Sequence, residues 1–111
     1  MTFEEELDAA IEKIVHDLVS TLGWDQEEAR RFIIPEVWNA TEIKRTGGLW
    51  HWNVTFWLGE NVQQSLHDQH VDTSWPSCPW HLRHPLWLAP YDSTDLSWTC
   101  SGRVVARLGE L

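Results

Sequence analysis

The chain has 111 residues, which is enough for one compact domain with one core but too few for a catalytic domain beside a binding domain. Its formal net charge of −9 argues against direct nucleic-acid binding, because an acidic protein repels phosphate. The acidic N-terminus lacks the apolar segment of a signal peptide, and no stretch is apolar enough to span a membrane, so we expect a cytoplasmic protein without membrane contact.

A helix is predicted over residues 2–22, because its apolar residues recur every three or four positions and so share one side of a helix. The stripe consists of Phe3, Leu7, Ala10, Ile11, Ile14, Leu18 and Leu22. Thr2 is the expected N-cap, and Gly23 is the expected end of the helix.

A second helix is predicted to begin at Asp25, which forms the capping-box pattern D-x-x-E with Glu28. Pro35 lacks a backbone donor and is predicted to end, kink or restart this helix. Residues 37–46 are ambiguous between helix and strand, and we favour helix to about Ala40 with extended chain beyond it.

Charge is concentrated in the predicted helices. Residues 1–36 carry ten acidic and three basic side chains, a net charge of −7, whereas residues 37–111 carry seven acidic and five basic side chains. The simpler interpretation is a solvated acidic helix face that keeps the protein soluble. The alternative is an acidic surface that docks on a basic partner or competes with nucleic acid for it.

The glycines at positions 47 and 48 supply the turn of a predicted hairpin, followed by a strand over residues 49–58 in which apolar and polar residues alternate. Trp50 and Trp52 fall on the apolar side of that strand and are predicted to be core residues. Residues 60–70 are polar, and we expect a short helix or an irregular loop that adds little to the core.

Four of the five prolines lie between Pro76 and Pro90, which excludes a long helix there. A hairpin is predicted from residues 86–91 and 96–100, followed by a strand over residues 104–108. Together these elements predict a single α+β domain over residues 1–111, mainly helical in 1–46 and β-rich in 47–111. In it, an N-terminal helical hairpin packs on a small antiparallel sheet whose C-terminal hairpin resembles a zinc ribbon.

Both cysteines and two histidines lie close together in this C-terminal part. Cys78 and His81 have the C-x2-H spacing of a zinc knuckle, and 18 residues separate His81 from Cys100, about the gap spanned by the hairpin of a zinc ribbon. A second knuckle would place its other ligand at position 103, where this chain has Arg103, and His84 is the nearest replacement. The predicted zinc ligands are therefore Cys78, His81, His84 and Cys100.

Other interpretations of these residues remain open. Cys78 and Cys100 could be small buried side chains while both histidines lie on a solvated loop. A disulfide between the two cysteines is geometrically possible across a hairpin, although a reducing compartment disfavours it. His67 and His70 form a second pair at knuckle spacing. They are interpreted as surface residues, with the option that one supplies a ligand in place of His84.

The same tail carries four short motifs: C-P-x-H at residues 78–81, H-P-L-W-L at 84–88, W-x-C at 98–100 and G-x-x-V-A-x-L-G-E-L at 102–111. In this third of the chain the sequence resembles the endings of short uncharacterised proteins of actinobacteria and their phages. The resemblance implies a zinc-ribbon-like module and a phage or mobile-element setting, in which the protein could reside within a phage particle. It implies no established activity.

The functional prediction follows from the aromatic residues near the cysteines. Trp75, Trp80 and Trp87 lie among prolines, where a loop cannot easily bury them, and together they would form an apolar platform for a protein partner or for self-assembly. We therefore predict a non-enzymatic interaction or assembly module with a structural zinc ion. The alternatives are an acidic inhibitor that mimics nucleic acid on a basic surface of a host protein, and a zinc-dependent hydrolase.

Overall fold

The computed structural model describes residues 2–48, 53–93 and 95–111. Its elements are α1 (Phe3–Leu22), α2 (Gln26–Arg45), α3 (Val54–Asp68), β1 (Trp87–Ala89), β2 (Ser97–Cys100) and β3 (Arg103–Arg107). The three helices pack on one another, and the strands form one antiparallel sheet in the order β1-β2-β3. The predicted α+β class, with the N-terminal helices against a small sheet, is confirmed.

Helix α1 begins and ends where its caps predict. The hydroxyl of Thr2 accepts a hydrogen bond from the Glu5 amide, and the Glu5 side chain accepts one from the Thr2 amide. At the other end, Gly23 has a φ of 73°, a left-handed conformation that glycine adopts without steric cost. The apolar stripe between the caps supplies Leu7, Ala10 and Ile14 to the core.

Helix α2 continues past Pro35 to Arg45, so the predicted end or restart at Pro35 and the extended chain after Ala40 are wrong. Pro35 removes one helical hydrogen bond, but Ile33 and Ala40 are buried on either side of it and hold the segment against the other helices. The glycines at 47 and 48 end this helix and do not form a hairpin turn. The amides of Gly47 and Gly48 donate to the carbonyls of Lys44 and Ile43, the two bonds of a Schellman motif.

Helix α3 corrects the predicted strand over residues 49–58. Residues 54–58 are helical, and residues 49–52, with Trp50 and Trp52, lie outside the described part of the chain. Asn53 caps the helix by accepting hydrogen bonds from the amides at 55 and 56. The alternating pattern coincides with a helical one, since Val54, Leu58, Val62 and Leu66 recur every four residues and are all buried. Residues 60–68 therefore contribute to the core, contrary to expectation.

The sheet lies within one or two residues of the predicted hairpin and final strand. Its inner face carries Trp98, which is fully buried and meets Trp75 edge-on with ring centroids 5.3 Å apart. Gly59 lets α3 approach β1 closely, since a Cβ at this position would lie 2.3 Å from the Leu88 Cδ1 atom. Along the described residues, no helix is both long and apolar enough to cross a bilayer.

Asp17 is the buried acid that joins the sheet to the helices. Its carboxylate, at 0% exposure, accepts hydrogen bonds from Trp98 Nε1 at 2.9 Å and from the amides of Gly109 and Leu111 at 2.8 and 3.0 Å. This residue was counted with the solvated acidic face and does not belong to it. The bonds fix the end of the chain against α1.

Candidate metal centre

A narrow loop carries three of the four predicted ligands. The amide of Leu86 donates to the Pro76 carbonyl at 2.7 Å, and the amide of Cys78 donates to the His84 carbonyl at 2.8 Å, so the two sides of the loop are paired. Cys78 and His84 therefore face each other at its base, and His81 lies near its tip. Arg83 has a φ of 58°, the left-handed conformation through which the chain turns back.

The fourth predicted ligand comes from the sheet. Cys100 is the last residue of β2, and the chain turns into β3 through Ser101 and Gly102, both with positive φ. Trp98, two residues earlier, is anchored in the core and fixes the strand below the loop. Cys100 is thus presented to the loop by a rigid element, which is the arrangement of a ribbon in which one ligand group lies at a hairpin turn.

The potential ligand atoms of these residues converge. One atom from each of Cys78, His81, His84 and Cys100 lies within 4.8 Å of all the others. The Nδ1 atom of His81 is 3.5 Å from Cys78 Sγ and 3.3 Å from Cys100 Sγ. With zinc–sulfur bonds of about 2.3 Å and zinc–nitrogen bonds of about 2.0–2.1 Å, tetrahedral geometry places sulfur and nitrogen roughly 3.6 Å apart. The four side chains lie close enough to hold one metal ion.

His84 supplies an independent indication. Its Nδ1 atom is buried and has no hydrogen-bond partner, the only such side-chain atom found among the described residues. Buried polar atoms normally have a partner, because an unsatisfied one loses its hydration without compensation. A metal ion bound through this nitrogen would satisfy it.

The two thiols differ in acidity. Burial disfavours the Cys78 thiolate, but hydrogen bonds from the amides of Trp80 and His81 and from the Cys100 thiol hold the pKa of Cys78 below its ordinary value. The Trp80 amide lies 3.3 Å from Cys78 Sγ. Burial and the neighbouring Cys78 sulfur raise the pKa of Cys100. Amides directed at a cysteine sulfur favour the thiolate, which is the form that binds metal.

Arg103, at the position where a second knuckle would have a ligand, has a different contact. Its guanidinium lies over the ring of Trp80, with Cζ 4.1 Å from the centroid. His84, and not Arg103, lies close to Cys78, His81 and Cys100. His67 and His70 lie outside this cluster, and His67 instead contacts the Asp68 carboxylate at 3.4 Å.

Both cysteines are free and buried, so the predicted alternative of a disulfide is not what the structure has. Both thiols also lie close to His81 and His84, so the cysteines are not simply two unrelated side chains of the core. His81 is exposed, as the alternative of a solvated loop has it, but that alternative does not account for the buried, unpartnered Nδ1 atom of His84.

The three tryptophans predicted to form a platform do not share one environment. Trp80 and Trp87 are exposed, at 44% and 51%, whereas Trp75 is 2% exposed and donates from Nε1 to the Thr21 hydroxyl at 2.7 Å. Trp75 is a core residue, and its assignment to an exposed platform is wrong. Trp75 is buried because it fills the space between α1 and Trp98. The sequence alone did not indicate that these elements lie beside Trp75.

Comparison of the chain with protein-family models, with curated proteins and with solved structures found no match. The interpretation of the cluster therefore depends on its geometry alone.

Proposed function

We propose that Cys78, His81, His84 and Cys100 bind one zinc ion that has a structural role. The observation that carries the proposal is the convergence of their ligand atoms within 4.8 Å around a buried, unpartnered histidine nitrogen. Two sulfurs and two imidazole nitrogens are a donor set that zinc prefers, in the number that tetrahedral coordination requires.

A structural role fits the ligand count. Catalytic zinc sites keep three protein ligands and an open position for water, whereas structural sites use four. Here the four side chains would complete the coordination and join the loop of residues 76–86 to the end of β2. For a domain of this size, such a link adds usefully to the stability that one small core can provide.

The proposed biochemical role is a non-enzymatic interaction or assembly module. Zinc would fix the loop that presents Trp80 and Leu82, and Leu82 is 92% exposed. Trp87 and Val104, 51% and 62% exposed, flank Thr99 in one row across the sheet, and Thr99 itself is only 9% exposed. The loop and the sheet thus each present exposed apolar side chains, and exposed apolar surface on a small domain favours a protein partner.

The decisive test measures metal content and stability together. Purified protein should contain about one zinc per chain, and cobalt substituted for it should show the visible absorption of tetrahedral sulfur and nitrogen ligation. His84→Asn should lose most of the metal and lower the melting temperature. His70→Asn is the matched control, because it changes an exposed histidine outside the cluster and should leave both unchanged.

Two results would contradict the zinc assignment. One is a metal-free wild-type protein that folds normally and takes up no zinc or cobalt on titration. The other is a His84→Asn variant that retains one zinc per chain with wild-type affinity, because that nitrogen would then not be a ligand.

A further inference from the structure

A cavity lies between α3 and the segment that leads into β1. On its helical side, Glu60, Gln63 and His67 recur three and four residues apart, so they share one side of α3. The opposite side includes Asp72 and Trp87. The cavity measures about 110 Å³, and none of the four candidate metal ligands is among the described residues that line it. It is therefore separate from the candidate metal centre.

The walls of the cavity are held in place by hydrogen bonds. The Nε2 atom of Gln63 donates to the carbonyls of Trp75 and Leu86 at 3.0 and 2.6 Å, which fixes this segment against α3. The Oδ1 atom of Asp72 accepts from the Ser74 amide at 2.9 Å, so the orientation of that carboxylate is also fixed. A site whose shape and acceptors are already in place has little ordering cost to meet when a ligand binds.

The cavity is acidic and lacks a counter-charge. Glu60 and Asp72 both line it, and no lysine or arginine is among the described residues of its lining. Glu60 is partly buried, and burial raises the pKa of its carboxyl group. Within the described part of the chain Glu60 forms no salt bridge, whereas Glu12 and Glu42 each pair with an arginine. A carboxylate that has lost part of its hydration without gaining a counter-ion favours a cationic ligand.

The arrangement of the acceptors and the size of the cavity narrow the class of cation. In the described part of the chain, Glu60, His67 and Asp72 do not converge closely enough to form a candidate metal site. A cavity of about 150 Å³ accepts benzene, so this somewhat smaller one fits a single planar group and excludes a ligand as large as a nucleotide. A guanidinium group has fewer non-hydrogen atoms than benzene, and its N–H donors reach acceptors in several directions.

Trp87 distinguishes a guanidinium from an ammonium group. Its side chain lines the cavity and is 51% exposed, so an aromatic surface is accessible from solvent beside the carboxylates. The planar guanidinium of arginine stacks on such a surface while its edge remains free for a carboxylate, whereas the ammonium of lysine is a compact and strongly hydrated charge. An arginine side chain therefore matches this lining better than a lysine side chain.

We propose that this cavity binds the guanidinium group of an arginine that a partner protein supplies. The net charge of −9 would attract a basic partner before contact. The proposal deepens the interaction role given above and rests on it, but it does not require a bound metal. It identifies the partner by its chemistry, as a protein with an exposed arginine that enters between α3 and Trp87.

The test titrates the full-length, ¹⁵N-labelled protein with the peptide acetyl-Gly-Arg-Gly-amide. The amide resonances of residues 60–67 and the indole resonance of Trp87 should shift, and no shift at the highest soluble peptide concentration would overturn the proposal. A peptide with citrulline, the uncharged isostere of arginine, should bind about tenfold more weakly. Equal binding of the citrulline peptide would overturn the charge argument. A lysine peptide that binds as tightly as the arginine peptide would overturn the choice of guanidinium.

Substitution of Glu60 tests whether the cavity is the site. Glu60→Gln keeps the size of the side chain and removes its charge, and it should weaken binding of the arginine peptide by roughly fivefold or more. Glu4→Gln is the matched control, because it removes the same charge from an exposed acid that does not line the cavity and should bind as wild type does. Equal losses in the two variants would mean that the peptide responds only to net charge, and the site would be refuted.

Substitution of Trp87 tests the aromatic wall. Trp87→Leu should weaken binding of the arginine peptide roughly twofold to fivefold, the size expected for an exposed cation–π contact. Trp80→Leu, which changes an exposed tryptophan outside the cavity, should leave the affinity unchanged. Wild-type affinity in Trp87→Leu would overturn the stacking on which the choice of arginine depends.

The cavity and the metal centre have separate readouts. Zinc content is measured on the same samples as peptide binding. Zinc-containing protein that shows no shift with the arginine peptide would overturn this proposal and leave the metal assignment intact. Metal-free protein that binds the peptide with the expected preferences would support the cavity and contradict the metal assignment.

Discussion

Substitution of Asp17 offers the strongest test of how the sheet is held on the helices. Its Oδ2 atom accepts from Trp98 Nε1 and from the Gly109 amide, while Oδ1 accepts from the Leu111 amide. Asp17→Ala leaves these three donors without their acceptor. Each buried donor left unsatisfied costs about 1–3 kcal/mol, so three of them amount to roughly 3–9 kcal/mol. Relaxation that lets water reach some of the donors recovers part of this cost, and we expect a net loss of about 3–6 kcal/mol.

Asp17→Asn should cost less. Its amide can turn so that the remaining oxygen occupies the Oδ2 position and keeps the bonds from Trp98 and Gly109, which leaves the bond from Leu111 lost. We therefore expect about 1–3 kcal/mol for this variant. The alanine variant should be less stable than the asparagine variant, because asparagine keeps an oxygen for two of the three donors and alanine keeps none.

The assay is urea unfolding followed by tryptophan fluorescence, with Asp8→Ala as the control. Asp8 lies on the exposed side of the same helix, and its substitution should change the free energy of unfolding by no more than about 0.5 kcal/mol. Removal of a buried charge sometimes stabilises a protein, when the cost of desolvation exceeds what its partners return. An Asp17→Asn variant as stable as wild type or more stable would therefore refute the proposed role of this carboxylate.

Three further predictions use the same unfolding assay or a metal titration. Gly59→Ala would place a methyl group 2.3 Å from Leu88 Cδ1, so the buried Leu88 side chain must move. The cost of overpacking, about 1–3 kcal/mol, exceeds the roughly 0.5–1 kcal/mol that alanine gains over glycine in a helix, so we expect a net loss of about 0.5–2 kcal/mol. No change or a gain in stability would mean that Leu88 moves freely. Trp98→Ala should cost about 3–5 kcal/mol, whereas Trp38→Ala, at a side chain 71% exposed, should cost less than about 0.5 kcal/mol. Zinc affinity, measured against a chromophoric chelator, should fall as pH is lowered, because protons compete with metal for the thiolates and imidazoles; an affinity independent of pH would exclude these ligands.

The helices show where sequence patterns suffice and where they do not. Helix α1 was predicted correctly because its cap, its apolar period and its terminal glycine all agree. Helix α3 was not, because residues 54–58 satisfy two periods at once: Val54, Phe56 and Leu58 alternate, yet Val54 and Leu58 also share a helix face. The deciding signal was Asn53, a favourable N-cap, followed by apolar residues four apart that extend to Leu66.

Pro35 and Asp17 were misjudged for a related reason. A proline does weaken a helix locally, and acidic residues are usually solvated. In this protein, packing against distant parts of the chain outweighs both tendencies. Ile33 and Ala40 are buried on either side of Pro35, and Asp17 receives its donors from residues more than 80 positions away. Asp17 does lie three residues after Ile14, on the apolar stripe, and an acid there is the one local indication of a buried carboxylate.

The four side chains of the candidate site could be predicted from the sequence, but the residues that surround them could not. The C-x2-H spacing indicated that Cys78 and His81 lie close together. Because position 103 is an arginine, His84 was the nearest residue that could take the fourth place. That Arg103 would stack on Trp80, and that Trp75 would turn inward to Thr21, depends on the position of the loop relative to the sheet and helices. Contacts of that kind have no sequence period and require the three-dimensional fold.

The hairpin formed by β2 and β3 is held at both ends, and this explains how so small a sheet keeps its place on the helices. At its open end, Gly109 and Leu111 bond to Asp17, and at its turn Cys100 lies in the cluster of four candidate ligands. Three short strands have little stability of their own in water, so they depend on attachment to other elements.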